Sequence, residues 1–111
     1  MLNHSSPSLD RIFYALSDPS RRTIVETLSK KEASVSELAH PLKMSMAAVV
    51  QHIQILEESG LIQTSKVGRV RSCKMRPDSL KLVENWLNDR RKFWENNLDR
   101  LGEFLESEDR E

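Results

Sequence analysis

The chain has 111 residues and a mass of 12.8 kDa, the size of one domain. Seventeen Lys and Arg balance seventeen Asp and Glu, which argues against a basic nucleic-acid coat and against a polyacidic disordered tail. At 31% charged and 38% hydrophobic it can still fold, and its one cysteine, Cys73, excludes a disulfide framework or a cysteine-based zinc site within one chain.

The zero is a cancellation. Residues 1–35 carry a net charge of +1, residues 36–76 a net of +3 and residues 77–111 a net of −4. The N-terminus shows no basic run followed by an apolar stretch, and Met44 to Val50 is far short of the roughly 20 residues a spanning helix needs. A soluble protein of the reducing cytoplasm, with no membrane partner, is expected.

Leu9, Ile12, Phe13 and Leu16 fall on one helical stripe. Ser17-Asp18-Pro19 ends that helix and opens a second, with Asp18 as N-cap and Pro19 at the first helical position. Ile24, Val25 and Leu28 form the inner face of the second helix, with Arg21 and Arg22 near its start. Ser34 to Ala39 reads as a short capped helix that Pro41 limits in length. Lys43-Met44 makes a turn, and Ser45 caps a fourth helix with a core stripe of Val49, Ile53 and Leu56 that Gly60 ends.

Leu61–Lys66 and Val70–Met75 read as a hairpin with glycine at its tip, Val67-Gly68-Arg69. Pro77-Asp78 starts a last helix, predicted over 79–105 and so about 40 Å long. Leu80, Val83, Leu87, Trp94, Leu98, Leu101 and Leu105 form its apolar stripe, a liability in a monomer if left exposed. The expected organisation is one domain over 1–111: a body over 8–76, a dimerisation helix over 77–106 and a frayed acidic tail over 107–111.

Helix, helix, short helix, turn, helix and hairpin is the layout of a winged helix-turn-helix, a mainly α fold with a small β-hairpin and here a long C-terminal helix. An α-helix fits the major groove of B-DNA, where base edges show a unique donor and acceptor pattern. With Val49, Ile53 and Leu56 inward, the fourth helix presents Met46, Ala47, Val50, Gln51 and Gln54. Gln51 and Gln54 suit base edges, and Ser45 suits a phosphate at the helix start. Lys66, Arg69 and Arg71 place positive charge around the hairpin, within reach of phosphates or the minor groove. The competing readings are a solvated helix face for the glutamines and edge protection for the hairpin cations.

Over residues 9–106 the sequence resembles the ArsR-type transcriptional repressors, in the branch without metal sites. The stretches that carry the likeness are Phe13 to Ile24, Ser36-Glu37-Leu38-Ala39, Met44 to Leu61, Val67-Gly68-Arg69 at the wing tip and Arg91 to Glu95. The resemblance implies a homodimeric repressor bound to double-stranded DNA, with the first helix joining the last at the dimer interface through Leu9, Ile12 and Phe13. It departs from the family where basic residues are common near Met46 and at Gln54, and a serine at Val50: from Met46 to Leu56 there is no Lys or Arg. Phosphate affinity is then expected from the wing and the second helix, and groove reading from glutamine and apolar contact.

Burial of six or seven large apolar side chains, at roughly 1.5–3 kcal/mol each, exceeds or matches an association cost of about 4–15 kcal/mol. The last helix can therefore hold a two-fold dimer, which implies a pseudo-palindromic operator. The family's metal sites are missing: Ser36-Glu37-Leu38-Ala39 stands where its cysteine pair would be, and no histidine follows His52. No metal, cofactor or enzyme constellation is expected, and no pattern identifies an effector. His52 reads as a packing histidine flanking the core stripe, and Cys73 as a small hydrophobe in the second wing strand. Two alternatives are a winged-helix protein-interaction module without DNA binding, and a redox-responsive regulator acting through Cys73.

Overall fold

The computed structural model describes residues 8–109. Helix α1 (Leu9–Leu16) starts at Ser8, whose hydroxyl accepts from the Arg11 N–H, and α2 (Pro19–Lys30) starts at Asp18, whose carboxylate accepts from the Arg21 N–H at 3.0 Å. Strand β1 (Ala33–Ser34) leads directly into α3 (Val35–Ala39). A reciprocal capping box opens α3: the Glu37 N–H donates to the Ser34 hydroxyl and the Ser34 N–H to the Glu37 carboxylate, both at 3.1 Å. Pro41 turns the chain into a 3-10 segment, His40–Leu42, and Lys43 follows in the left-handed region at φ 52°.

Helix α4 (Met46–Glu58) is capped by Ser45, which accepts from the Ala48 N–H at 3.1 Å. It ends in a Schellman arrangement: Gly60 sits at φ 85°, its N–H donates to the Glu57 carbonyl, and the Leu61 N–H donates to the Leu56 carbonyl. The left-handed backbone is why glycine stands there. Strands β2 (Ile62–Val67) and β3 (Val70–Met75) form the hairpin, with Val67 paired to Val70 across a two-residue turn. Of the two turn residues only Gly68 has positive φ, the pattern of a type II′ turn, whose twist matches the strands.

The sheet is a strand richer than the sequence suggests. β1 pairs antiparallel with β3, giving the order β1-β3-β2 and opposing Ala33 to Cys73. Two residues have no periodicity to betray a strand. The last helix, α5 (Pro77–Asp109), begins two residues before the predicted start and continues four beyond the predicted end, through Ser107 to Asp109. Arg110 and Glu111 lie outside the described residues.

The chain forms two compact units, one ending at Leu80 and one beginning at Lys81. In the first, α1 packs on α2 and α4, α2 on α4 and β3, α3 on α4 and β3, and α4 on β2. Ile12, Ile24, Leu38, Val49, Leu56, Leu61 and Ile62 fill its centre. The start of α5 is tied to this unit, because the Arg76 N–H donates to the Leu61 carbonyl at 2.9 Å and the Ser79 hydroxyl to the Gly60 carbonyl. The second unit is the remainder of α5. Its apolar residues stand exposed on this chain, among them Leu87, Trp94, Leu98, Leu101 and Leu105. No helix among the described residues is long and apolar enough to cross a membrane.

Candidate nucleic-acid interface

Helix α4 sorts its side chains by the period of the helix. Val49, Ile53 and Leu56 are buried, whereas Met46, Ala47, Gln51 and Gln54 are exposed and Val50 is half-buried. The exposed set forms a short strip of amide and apolar groups without charge. Ser45 stands exposed at its head. Its oxygen accepts the cap bond, and its hydroxyl proton stays available to donate.

Beside that strip stands the hairpin. Lys66 lies directly opposite Arg71 in the β2–β3 register, and Arg69 sits in the turn between them. All three are exposed, and no carboxylate among the described residues comes within 4.0 Å of any of them. Like charges placed opposite each other across a strand pair are destabilising. A cleft of about 480 Å³ separates these cations from α4, with Val50 on one wall and Val35 and Ser36, at the start of α3, on another.

A second group of polar contacts seats α4. The Glu57 carboxylate accepts from both the N–H and the hydroxyl of Thr64, at 3.0 and 2.7 Å, and so ties the C-terminal half of α4 to β2. On its other flank His52, 19% exposed, meets the Arg21 guanidinium.

Arg21 is a correction to the expectation that the second helix supplies phosphate contacts, which leaves that role to the exposed Arg22. Arg21 is only 6% exposed and faces inward. Its Nε donates to the Ala15 carbonyl at 2.7 Å, Nη2 to the Tyr14 carbonyl at 3.2 Å, and Nη1 lies 3.1 Å from His52 Nδ1. The guanidinium also sits over the Tyr14 ring, 5.2 Å from its centroid. Arg22 donates to the Leu16 carbonyl at 2.7 Å. The last carbonyls of α1, which no helix can satisfy for itself, are thus taken up by the first turn of α2. An arginine just inside a helix start reads as solvent-facing in sequence. Only the proximity of α1's end and of residue 52 makes it a buried anchor.

Of the remaining predicted residues, Ile12 is fully buried in the first unit and has no surface to offer a partner, a correction to its expected place at an interface. Phe13 is exposed and Leu9 half-buried, and Tyr14 adds exposed aromatic surface to α1. On α5, Leu80, Leu87, Trp94, Leu98, Leu101 and Leu105 are exposed and Val83 half-buried; Trp86, Phe93 and Phe104, outside the expected apolar stripe, are exposed as well. Cys73 is completely buried between Ala33 and Thr64, and burial pushes its thiol pKa up. Among the described residues no group of three or more His, Cys, Asp or Glu is placed to hold a metal ion.

Comparison with known proteins agrees with this architecture. A helix-turn-helix domain family matches residues 16–64. An HTH-type transcriptional regulator of Mycobacterium tuberculosis, Rv2034, is 33% identical over 97% of this chain and 96% of its own length. The crystal structure of an ArsR family transcriptional regulator superposes with a TM-score of 0.74 at 45% identity, covering 78% of this chain and 90% of that one. An ArsR-like transcriptional regulator from Rhodococcus sp. RHA1 gives a TM-score of 0.75 at 30% identity, covering 89% and 91%.

Proposed function

Because the chain belongs to the ArsR family of winged helix-turn-helix transcriptional regulators, we propose that it binds a pseudo-palindromic operator as a homodimer and represses transcription by occluding the promoter. The observation that carries this reading is the trio Lys66, Arg69 and Arg71, held without a carboxylate partner among the described residues, beside the exposed strip of α4. A hairpin that only guards its edge has no need of two cations directly opposed. A row of phosphates supplies the missing counter-charge.

In this reading Ser45 and the start of α4 meet a phosphate, Gln51 and Gln54 read base edges, and Met46, Ala47 and Val50 supply apolar contact to thymine methyls. The wing cations follow the backbone beyond the groove. The apolar face of α5 supports the homodimer. The burial of Cys73, with its raised pKa, counts against a thiol switch, since the thiolate is the reactive form.

An anisotropy titration with duplex DNA from upstream of its own gene, beside a scrambled duplex and at two salt concentrations, tests the proposal. Preference for the native duplex is expected, and equal binding to both duplexes, or none, refutes it. Gln51→Ala and Gln54→Ala should each cost about 1–3 kcal/mol on the native duplex. Arg69→Ala should weaken both duplexes alike and lower the salt slope by roughly 1 per wing. An unaltered slope would count against phosphate contact by the wing.

A further inference from the structure

The hydrogen bond between Arg21 and His52 joins two parts of the chain with different tasks. Arg21 belongs to the first turn of α2 and is buried, and two of its nitrogens hold the end of α1. His52 belongs to α4 and directly follows Gln51, one of the residues proposed to read bases. A guanidinium carries donors only. The 3.1 Å contact from Nη1 is therefore a hydrogen bond only if His52 Nδ1 is bare, which places the ring proton of the neutral imidazole on Nε2. The Asp18 carboxylate is 4.0 Å from Nδ1, beyond hydrogen-bond reach, and already accepts from the Arg21 N–H.

We propose that Arg21 and His52 are a positioning pair that fixes the roll of α4 about its own axis and thereby aims Gln51 and Gln54. The proposal rests on the reading of α4 as the base-reading helix. The buried stripe of α4 consists of Val49, Ile53 and Leu56, and apolar packing is non-directional. Glu57 ties the C-terminal end of α4 to Thr64 through a long side chain, and along the rest of the helix such contacts alone allow a little roll at small cost. A roll of about 10° moves a group some 6 Å from the axis by roughly 1 Å, enough to break a bidentate contact to a base. A directional bond on the flank of the helix, made by an arginine whose other nitrogens are already committed to α1, removes that freedom.

The first test uses the wild-type protein without DNA. Long-range ¹H–¹⁵N NMR of the neutral His52 ring should show a bare Nδ1 and a protonated Nε2; the opposite tautomer overturns the pair. The second test compares His52→Leu, which deletes the acceptor, with His52→Asn, whose amide oxygen can stand near the position of Nδ1. His52→Leu, although less stable, should remain folded at 25 °C and bind scrambled DNA as the wild type does. It should lose at least tenfold on the native duplex, and His52→Asn should recover most of that loss. Gln51→Ala measured alongside separates the two levels of the argument. If Gln51→Ala is impaired and His52→Leu is not, the positioning role is overturned alone. If both bind as wild type, the base-reading assignment falls and the positioning role with it. Failure of His52→Asn to recover the loss also overturns the pair, and if His52→Leu does not fold, the NMR tautomer decides.

Discussion

Asp18 joins local helix chemistry to the behaviour of the protein in acid. Its carboxylate caps α2, and the Arg21 backbone N–H that it accepts holds its pKa below the usual carboxylate value. A group whose pKa is depressed by folding adds stability above its unfolded pKa, and that stability is lost as pH falls through the folded pKa. Asp18 therefore stabilises the fold fully at neutral pH and ceases to do so as pH falls below about 4. Asp18→Ala should cost about 0.5–2 kcal/mol at pH 7, the ordinary loss for a cap. Asp18→Asn, still an able cap, should cost less. Thermal unfolding followed from pH 7 to pH 3 should show the gap between Asp18→Ala and wild type closing in acid, and a constant gap would refute the assignment. Glu37 shifts in the same direction, chiefly through the Ser34 backbone N–H, so acid weakens the start of α3 as well.

Among the elements, the wing depends on Glu57. Its carboxylate is the polar tie from α4 to β2, accepting twice from Thr64 in a part-buried setting. Hydrogen bonds to a charged acceptor contribute about 1.5–3 kcal/mol, so Glu57→Ala should destabilise the fold by that order. Amide exchange should rise first in β2 and the adjoining turn, and an unchanged pattern there would show that the sheet alone holds the wing. Much at this scale was legible in the sequence because it is local. Asp18, Ser34 and Ser45 announce helix starts, Gly60 and Gly68 mark positive φ, and the spacing of Val49, Ile53 and Leu56 separates the two sides of α4. What escaped depends on residues distant in the chain. Strand β1 exists only because β3, nearly forty residues later, lies beside it, and the inward turn of Arg21 depends on a histidine 31 positions away. The opposed pair Lys66 and Arg71 follows from the hairpin register, which a turn of two residues rather than three decides.

For the molecule as a whole, the neutral charge and the apolar last helix belong together. Of the six cations behind the net +3 of residues 36–76, Lys66, Arg69 and Arg71 stand where DNA is proposed to bind, and the net −4 of residues 77–111 lies on and after α5. On α5 the residues at seven-residue intervals, Leu80, Leu87, Trp94 and Leu101, are all apolar and exposed, and Leu98 and Leu105 lie one turn further along the same side. Trp94, 62% exposed, is a large ring to leave in water. At roughly 1.5–3 kcal/mol for each large side chain buried, half a dozen such residues per chain suffice to offset an association cost of about 4–15 kcal/mol. A carboxylate placed in that stripe would have to be desolvated or would keep the helices apart. Leu98→Asp and Leu101→Asp should therefore sediment as monomers at concentrations where the wild type is expected to sediment as the proposed dimer. Each monomer carries one α4 and one wing, so on the proposed reading it loses the advantage of engaging two half-sites at once, worth about 10²–10⁴-fold in affinity. Binding to a single half-site should fall much less. A dimer that survives both substitutions would place the interface elsewhere, and a monomer that binds the full operator as tightly as wild type would show that the operator is read one half at a time.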